Sequence, residues 1–187
     1  SMNYTVGLNI RNVGSKISYS EKKNFIPTKL KLGGAATLKL DEYNSLMFTT
    51  ELGKLLIPTP PVYQTDEEGN ILDDDNGDPL IAAGKDPDVS VTQGIFQSFY
   101  DAPGGFEEEL HEIKYSFGLE YWYQKVFAIR AGYFYEHETK GNRKYYTVGV
   151  GLKLNVFNAD FSYVIPRYQN HPLGNTMRFT LELDFDA

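Results

Sequence analysis

Eight stretches of the chain alternate apolar and polar residues with a period of two, the spacing of a strand with one apolar face. In 3–13, Tyr4, Val6, Leu8 and Ile10 share a face opposite Thr5, Gly7, Asn9 and Arg11. In 28–40, Leu30, Leu32, Ala36, Leu38 and Leu40 oppose Lys31, Gly33, Thr37 and Lys39, and in 44–54 Leu46, Phe48 and Leu52 oppose Thr49 and Glu51. The fourth stretch, 109–123, sets Ile113, Tyr115, Phe117, Leu119, Tyr121 and Tyr123 against Glu112, Lys114, Ser116, Gly118 and Glu120. The fifth, 126–136, sets Phe127, Ile129, Ala131, Tyr133 and Tyr135 against Arg130, Gly132 and Glu136. In 145–156, Tyr146, Val148, Val150, Leu152 and Leu154 oppose Thr147, Gly149, Gly151 and Lys153. In 159–166, Phe161, Tyr163 and Ile165 oppose Asp160 and Ser162, and in 175–186 Met177, Phe179, Leu181, Leu183 and Phe185 oppose Arg178, Thr180, Glu182 and Asp184.

Most of these stretches are near the length of about 9–11 residues that a tilted strand needs to cross a bilayer. Their apolar faces carry almost no charge, and their opposite faces are charged or glycine in nearly every case. The expected fold is therefore all-β: a transmembrane antiparallel β-barrel of about eight strands, forming one domain over 1–187.

The connections support the same reading, because they alternate in length. The segments 14–27, 55–108, 137–144 and 167–174 are long, whereas Asp41-Glu42-Tyr43, Gln124-Lys125 and Phe157-Asn158 are short. Bacterial outer-membrane barrels join their strands by short periplasmic turns and longer extracellular loops. This places both termini in the periplasm and makes 55–108 a long extracellular loop. Aromatics cluster near the strand ends: Tyr121, Trp122, Tyr123 and Phe127 at one short turn, and Tyr133, Tyr135, Tyr145 and Tyr146 around one loop. Such clusters suit the two interfacial girdles of a barrel, or ordinary strand composition. A soluble lipid-binding barrel has the same periodicity with its apolar face inside, and periodicity alone does not say which face is in.

Composition narrows the function classes. The net charge of -7 and the lack of a lysine or arginine block exclude a non-specific nucleic-acid footprint. There is no cysteine, hence no disulfide, thiolate metal site or cysteine nucleophile. No window approaches the ~18 consecutive apolar residues of a transmembrane helix. No signal peptide precedes the first strand and Ser1-Met2 reads as a tag-cleavage scar, so a mature or truncated chain is expected.

Candidate chemistry is sparse. Asp66, Glu67, Glu68, Asp73, Asp74, Asp75 and Asp78 form an acidic run whose spacing fails the helix–loop–helix calcium motif; a solvated, mobile loop is expected. Residues 90–101 carry Ile95, Phe96, Phe99 and Tyr100 and read as a short helix at the barrel mouth, either a plug or partner-docking element or a loop packed on itself. His111, His137 and His171 lack metal-ligand spacing and are expected at the surface. No serine elbow, phosphate loop or paired-carboxylate motif appears, so neither an enzyme nor a cofactor is expected. Asp160, Glu120, Glu112 and Glu182 with Arg130, Arg178, Lys114 and Lys153 read as a charge network inside the barrel.

Several strings carry a resemblance. They are Asn24-Phe25-Ile26-Pro27-Thr28-Lys29-Leu30 with Gly33-Gly34, Asp41-Glu42-Tyr43-Asn44-Ser45-Leu46, and Lys54-Leu55-Leu56-Ile57-Pro58-Thr59-Pro60-Pro61. Further on come Ser98-Phe99-Tyr100-Asp101-Ala102-Pro103-Gly104-Gly105-Phe106, His137-Glu138-Thr139-Lys140-Gly141-Asn142-Arg143, and Asn175-Thr176-Met177-Arg178-Phe179-Thr180-Leu181. Together they resemble the PorV family, the outer-membrane β-barrel of the Bacteroidetes type IX secretion system. The resemblance implies a larger barrel related to the fatty-acid transporter FadL, of which this chain is the C-terminal portion. It also implies a cargo shuttle in the bacterial outer membrane. Such a shuttle binds the C-terminal signal domain of secreted cargo, receives it from a SprA-type translocon and passes it to a surface sortase complex. The matched residues that the resemblance offers for partner binding are Phe96, Phe99, Tyr100, Phe106, Lys140 and Arg143. The alternative is a FadL-like transporter of hydrophobic small molecules, which requires an apolar pocket in the interior.

Overall fold

The computed structural model describes residues 1–18, 23–167, 174 and 176–183. Its strands are β1 (Met2–Arg11), β2 (Ile17–Ser18), β3 (Lys23–Asn24), β4 (Lys29–Lys39), β5 (Asn44–Leu55), β6 (Val62–Tyr63) and β7 (Ile81–Ala83), then β8 (Lys114–Tyr123), β9 (Phe127–Tyr135), β10 (Lys144–Lys153), β11 (Phe157–Pro166) and β12 (Met177–Leu183). Two short helices, α1 (Val91–Gln97) and α2 (Gly105–His111), lie between β7 and β8. The eight long strands form one sheet in the order β1-β4-β5-β8-β9-β10-β11-β12. Its end strands β1 and β12 are not paired with each other among the described residues. No helix among the described residues is long and apolar enough to cross a membrane.

The chain divides into two compact units. Unit 1 comprises Ser1–Leu8, Leu32–Leu52 and Lys114–Ala187; unit 2 comprises Asn9–Lys31 and Gly53–Ile113. Strands β1, β4 and β5 contribute residues to both.

The strands follow their sequence pattern closely, and the turns explain the register. Asp41 Oδ1 accepts the backbone N–H groups of Tyr43 and Asn44 at 2.8 and 2.7 Å, which ends β4 and starts β5. Gln124 and Lys125 both have positive φ, 52° and 56°, the conformation of a tight hairpin turn whose twist matches the strands. One expected turn is displaced. Leu154 and Phe157 exchange both backbone hydrogen bonds around Asn155-Val156, so Phe157 and Asn158 belong to β11 rather than to the turn.

The largest correction concerns 109–113, expected as the start of a strand. Residues 105–111 are helical instead, and β8 begins at Lys114. Alternation in this stretch misleads because Glu109 and Glu112, three apart on a helical turn, both reach Lys54. Of the last stretch, β12 covers Met177–Leu183; Asp184 and Phe185 lie outside the described residues, as does His171.

The two faces of the sheet settle which side is covered. On β10, Tyr146, Val148, Val150 and Leu152 are exposed, while Gly149 and Gly151 between them are buried. On β9, Phe127 and Ile129 are exposed and Ala128 is wholly buried. The same holds for Phe117 and Leu119 on β8 and for Phe161 and Ile165 on β11. On β1 and β12 both faces are open, as expected for end strands. Leu56, Ala102 and Ala128, with Pro58 and Pro61, are the buried apolar side chains among the described residues. The burial pattern is therefore the reverse of a water-soluble barrel, in which the large apolar side chains fill the interior.

The covered face is packed through small and polar groups. A Cβ on Gly132 would lie 2.6 Å from Thr147 Oγ1, and one on Gly149 would lie 2.9 Å from the Phe161 carbonyl oxygen. Arg130 is held between Glu120 and Asp160 on this face, with its guanidinium 5.5 Å from the Trp122 ring. Part of the expected interior network thus forms. Glu112 and Lys114 leave it for Lys54 and Glu136, and Glu182, Arg178 and Lys153 do not join it among the described residues.

Gly149→Val drives a branched side chain against backbone, and about 1–3 kcal/mol of destabilisation is expected. Gly7→Ala, at a glycine with no atom within 4 Å of its added Cβ, is the control and is expected to be nearly neutral. Urea unfolding of the detergent-refolded chain measures both; an unshifted midpoint for Gly149→Val contradicts the packing described.

Candidate functional site

Unit 2 presents an aromatic surface over a buried ionic core. Helix α1 begins at Ser90, whose Oγ accepts the Gln93 N–H at 3.2 Å. Gly94 allows the helix to sit on Phe25 and Pro58: a Cβ there would lie 2.7 Å from the Phe25 ring and 3.1 Å from Pro58 Cδ. The helix is anchored on its other end by Gln97, buried, donating to the Asp86 carbonyl at 2.8 Å, and by Ser98, buried, donating to the Ile95 carbonyl at 2.8 Å.

The turn from α1 to α2 is fixed by Glu109. Its Oε1 accepts the backbone N–H groups of Asp101 and Ala102 at 2.8 and 2.9 Å, and its Oε2 accepts from Lys54 Nζ at 2.8 Å. Lys54 Nζ also donates to Glu112 Oε2 at 2.7 Å, and Glu112 Oε1 accepts the Thr59 hydroxyl at 2.8 Å. Asp101 Oδ2 accepts the Thr59 N–H at 3.0 Å, while its buried Oδ1 has no hydrogen-bond partner. Burial pushes the Asp101 carboxyl up, against the Thr59 hydrogen bonds, and the charges of Glu109 and Glu112 push the same way. One lysine thus holds together two carboxylates, Glu109 of α2 and Glu112 at its C-terminal cap. No group of acidic or histidine side chains suited to a metal ion occurs among the described residues.

Above this core the aromatics are turned outward. Phe96 is 65% exposed, Phe99 48%, Tyr100 57% and Phe106 78%. Lys54 Nζ lies 5.7 Å from the Phe99 ring centroid and Lys85 Nζ 3.8 Å from that of Tyr100. A cation held over a ring face stabilises the ring's position by roughly 0.5–2 kcal/mol. Phe106 and Leu110, four apart on α2, are both exposed. Outward-facing aromatics on a rigid, capped support are the ordinary makings of an interaction surface.

The acidic segment 62–83 is exposed, as expected, but it is ordered by a repeat that sequence reading missed. Residues 65–72 (TDEEGNIL) and 73–80 (DDDNGDPL) are two versions of one eight-residue loop. Asp66 Oδ1 accepts from Glu68 and Asn70 N–H, and Asp74 Oδ1 accepts from Asn76 and Asp78 N–H at the matching positions. Gly69 and Gly77, at φ 88° and 85°, supply the turn conformation that other residues resist. Leu72 N–H donates to the Gln64 carbonyl, Leu80 N–H to the Leu72 carbonyl and Gln64 N–H to the Leu80 carbonyl. The signal was available in the matched Asp-x-x-Gly spacing.

The other two expected site residues belong to unit 1. Lys140 ends a 3-10 turn, Glu138–Lys140, whose first residue is preceded by a His137 cap. Arg143 donates to Glu136 through Nε at 2.6 Å and Nη2 at 2.9 Å, and Lys114 Nζ lies 2.8 Å from the same carboxylate. Burial alone raises the Glu136 carboxyl, but Arg143 and Lys114 overcome it and hold it at about 2. Arg143 therefore closes its own loop, and Gly141 at φ 130° leaves room for the Glu136 carboxylate.

The fold defines a class, an all-β protein built on an eight-stranded antiparallel sheet with an exposed apolar face, and it carries exposed aromatics on the segment between β5 and β8. Residues 2–62 match the family model described as Type IX secretion system protein PorV. Over these residues the chain carries the PorV family pattern, in agreement with the strings at 24–34, 41–46 and 54–61; the strings at 98–106, 137–143 and 175–181 lie outside the match. No curated protein matches the chain.

Two outcomes follow. Lys54→Met leaves Glu109 and Glu112 buried without a cation and is expected to cost about 3–5 kcal/mol, read as lost hydrogen-exchange protection over 98–112. Unchanged protection contradicts the role given to Lys54. For Glu136, a carboxyl held below its ordinary 4.5, the ion cluster contributes stability above that value. The contribution is lost as pH falls through about 2. Protection of the 136–143 loop is expected to fall across that window, and Glu136→Gln to abolish the dependence; an equal fall in both proteins contradicts the assignment.

Proposed function

We propose that the chain is an outer-membrane component of type IX protein secretion. In this reading the eight-stranded sheet belongs to a transmembrane barrel with its apolar face against lipid. The aromatic surface of unit 2 binds the C-terminal signal domain of secreted cargo, for transfer from a SprA-type translocon to the surface attachment complex. The role is binding rather than catalysis. The family match over 2–62 supports the link to type IX secretion. The observation that carries partner binding is the outward exposure of Phe96, Phe99, Tyr100 and Phe106 on a support that buried ion pairs hold rigid.

The reversed burial pattern supports the membrane placement. Exposed charge on the apolar face would cost roughly 2–4 kcal/mol at the bilayer midplane, and the exposed strand positions there carry none. The alternative, a conduit for hydrophobic small molecules, requires an apolar interior. The covered face instead carries Arg130, Glu120 and Asp160, which argues against it.

The test is capture of a cargo signal domain by the detergent-refolded full chain. The triple substitution Phe96→Ala, Phe99→Ala and Tyr100→Ala is expected to weaken capture by about tenfold or more, since buried aromatic anchors each contribute about 2 kcal/mol or more. Undiminished capture, with the variant's fold intact by circular dichroism, overturns the site.

A further inference from the structure

The sign of the charge around the aromatic surface says what kind of partner it takes. Unit 1 contains ten lysine or arginine residues and ten aspartate or glutamate residues, so it is neutral. Unit 2 contains eight basic against fifteen acidic residues, so the whole net charge of -7 lies there. Within 53–113 the imbalance is sharper, with fourteen acidic residues against Lys54 and Lys85 alone. Both lysines are engaged: Lys54 is buried between Glu109 and Glu112, and Lys85 sits on the Tyr100 ring.

The acidic loops are rooted beside the aromatics. Gly84, at φ 94°, closes the stem of 62–83 so tightly that a Cβ would lie 3.1 Å from Pro61 Cα and 3.2 Å from the Asp101 carbonyl oxygen. Asp101 directly follows Tyr100 in the turn that bears Phe99. Asp66 and Asp74 spend their carboxylates on their own turns, whereas Glu67, Glu68, Asp73 and Asp75 are exposed. Glu107 is exposed next to Phe106.

We infer that the aromatic surface of unit 2 docks a cationic protein segment, one that presents lysine or arginine around an apolar anchor. The inference rests on the partner-binding reading above and specifies its chemistry. Aromatic anchors supply the desolvated centre of such an interface, and the acidic loops supply a rim that attracts and orients a basic partner. Anionic lipid headgroups, nucleic acid and a second copy of the same surface all carry the repelling sign.

The test uses the full chain in detergent with two synthetic amphipathic peptides, one alternating lysine with phenylalanine and its glutamate counterpart, beside a cargo signal domain. The lysine peptide is expected to bind about tenfold or more tightly than the glutamate peptide. That advantage should shrink as salt rises from about 0.05 to 0.5 M. Neutralising the rim with Glu67→Gln, Glu68→Gln, Asp73→Asn and Asp75→Asn removes most of the advantage and flattens the salt dependence. The aromatic triple variant loses binding of the lysine peptide. Equal binding of the two peptides overturns the inference, as does lysine-peptide binding that ignores the rim substitutions or the aromatic ones. Cargo capture that is insensitive to salt and to the rim substitutions sinks the inference and leaves the capture reading standing. Binding of the lysine peptide without capture of the cargo domain does the opposite, and binding of neither sinks both.

Discussion

In unit 1 the large apolar side chains of the sheet lie on its exposed face, which leaves small and polar groups to pack the other, and this constraint organises the unit. Val148, Val150, Ile129 and Phe161 are exposed, while the residues that alternate with them are glycine, alanine, serine, threonine or a paired charge. Covering one such side chain with apolar surroundings is worth about 1.5–3 kcal/mol. The inner face contributes little apolar area, so its packing depends on close approach. Gly118 against Thr49, and then Gly132, Gly151 and Gly149, are where that approach is tightest, and Gly151 leaves room for the Arg130–Asp160 pair.

Unit 2 solves a different problem. It has few buried apolar residues, and its order comes from side chains that satisfy the backbone. Glu109 joins α2 to the turn at Asp101 and Ala102, Lys54 draws Glu109 and Glu112 together, and Asp66 and Asp74 each organise one acidic loop. Order obtained this way leaves the aromatic side chains Phe96, Phe99, Tyr100 and Phe106 unburied.

The strands were legible because period-two alternation survives whichever face is buried, and all eight expected stretches contain a strand of the sheet. Which face is covered was not legible from the period, and required the exposure of β9 and β10. The helix α2 was misread because a run such as Glu109 to Ile113 satisfies a strand pattern locally. What decides it is Lys54, more than fifty residues earlier in the chain, and separation of that kind leaves no trace in a local window. The aromatic residues of the candidate site were named from the sequence. The ion cluster beneath them was not, because Asp101, Glu109, Glu112 and Lys54 share no motif. The Asp-x-x-Gly repeat of the acidic loops is visible in the sequence, and the acidic composition of the segment obscures it.

The most direct test of the outward apolar face uses the absence of cysteine from the chain. Single cysteines at successive positions from Tyr145 to Leu152, each carrying a fluorophore, report their surroundings in vesicles that contain brominated acyl chains. The account predicts alternating quenching, strong at positions 146, 148, 150 and 152 and weak at 145, 147, 149 and 151. Quenching of the opposite set, or no alternation at all, contradicts it.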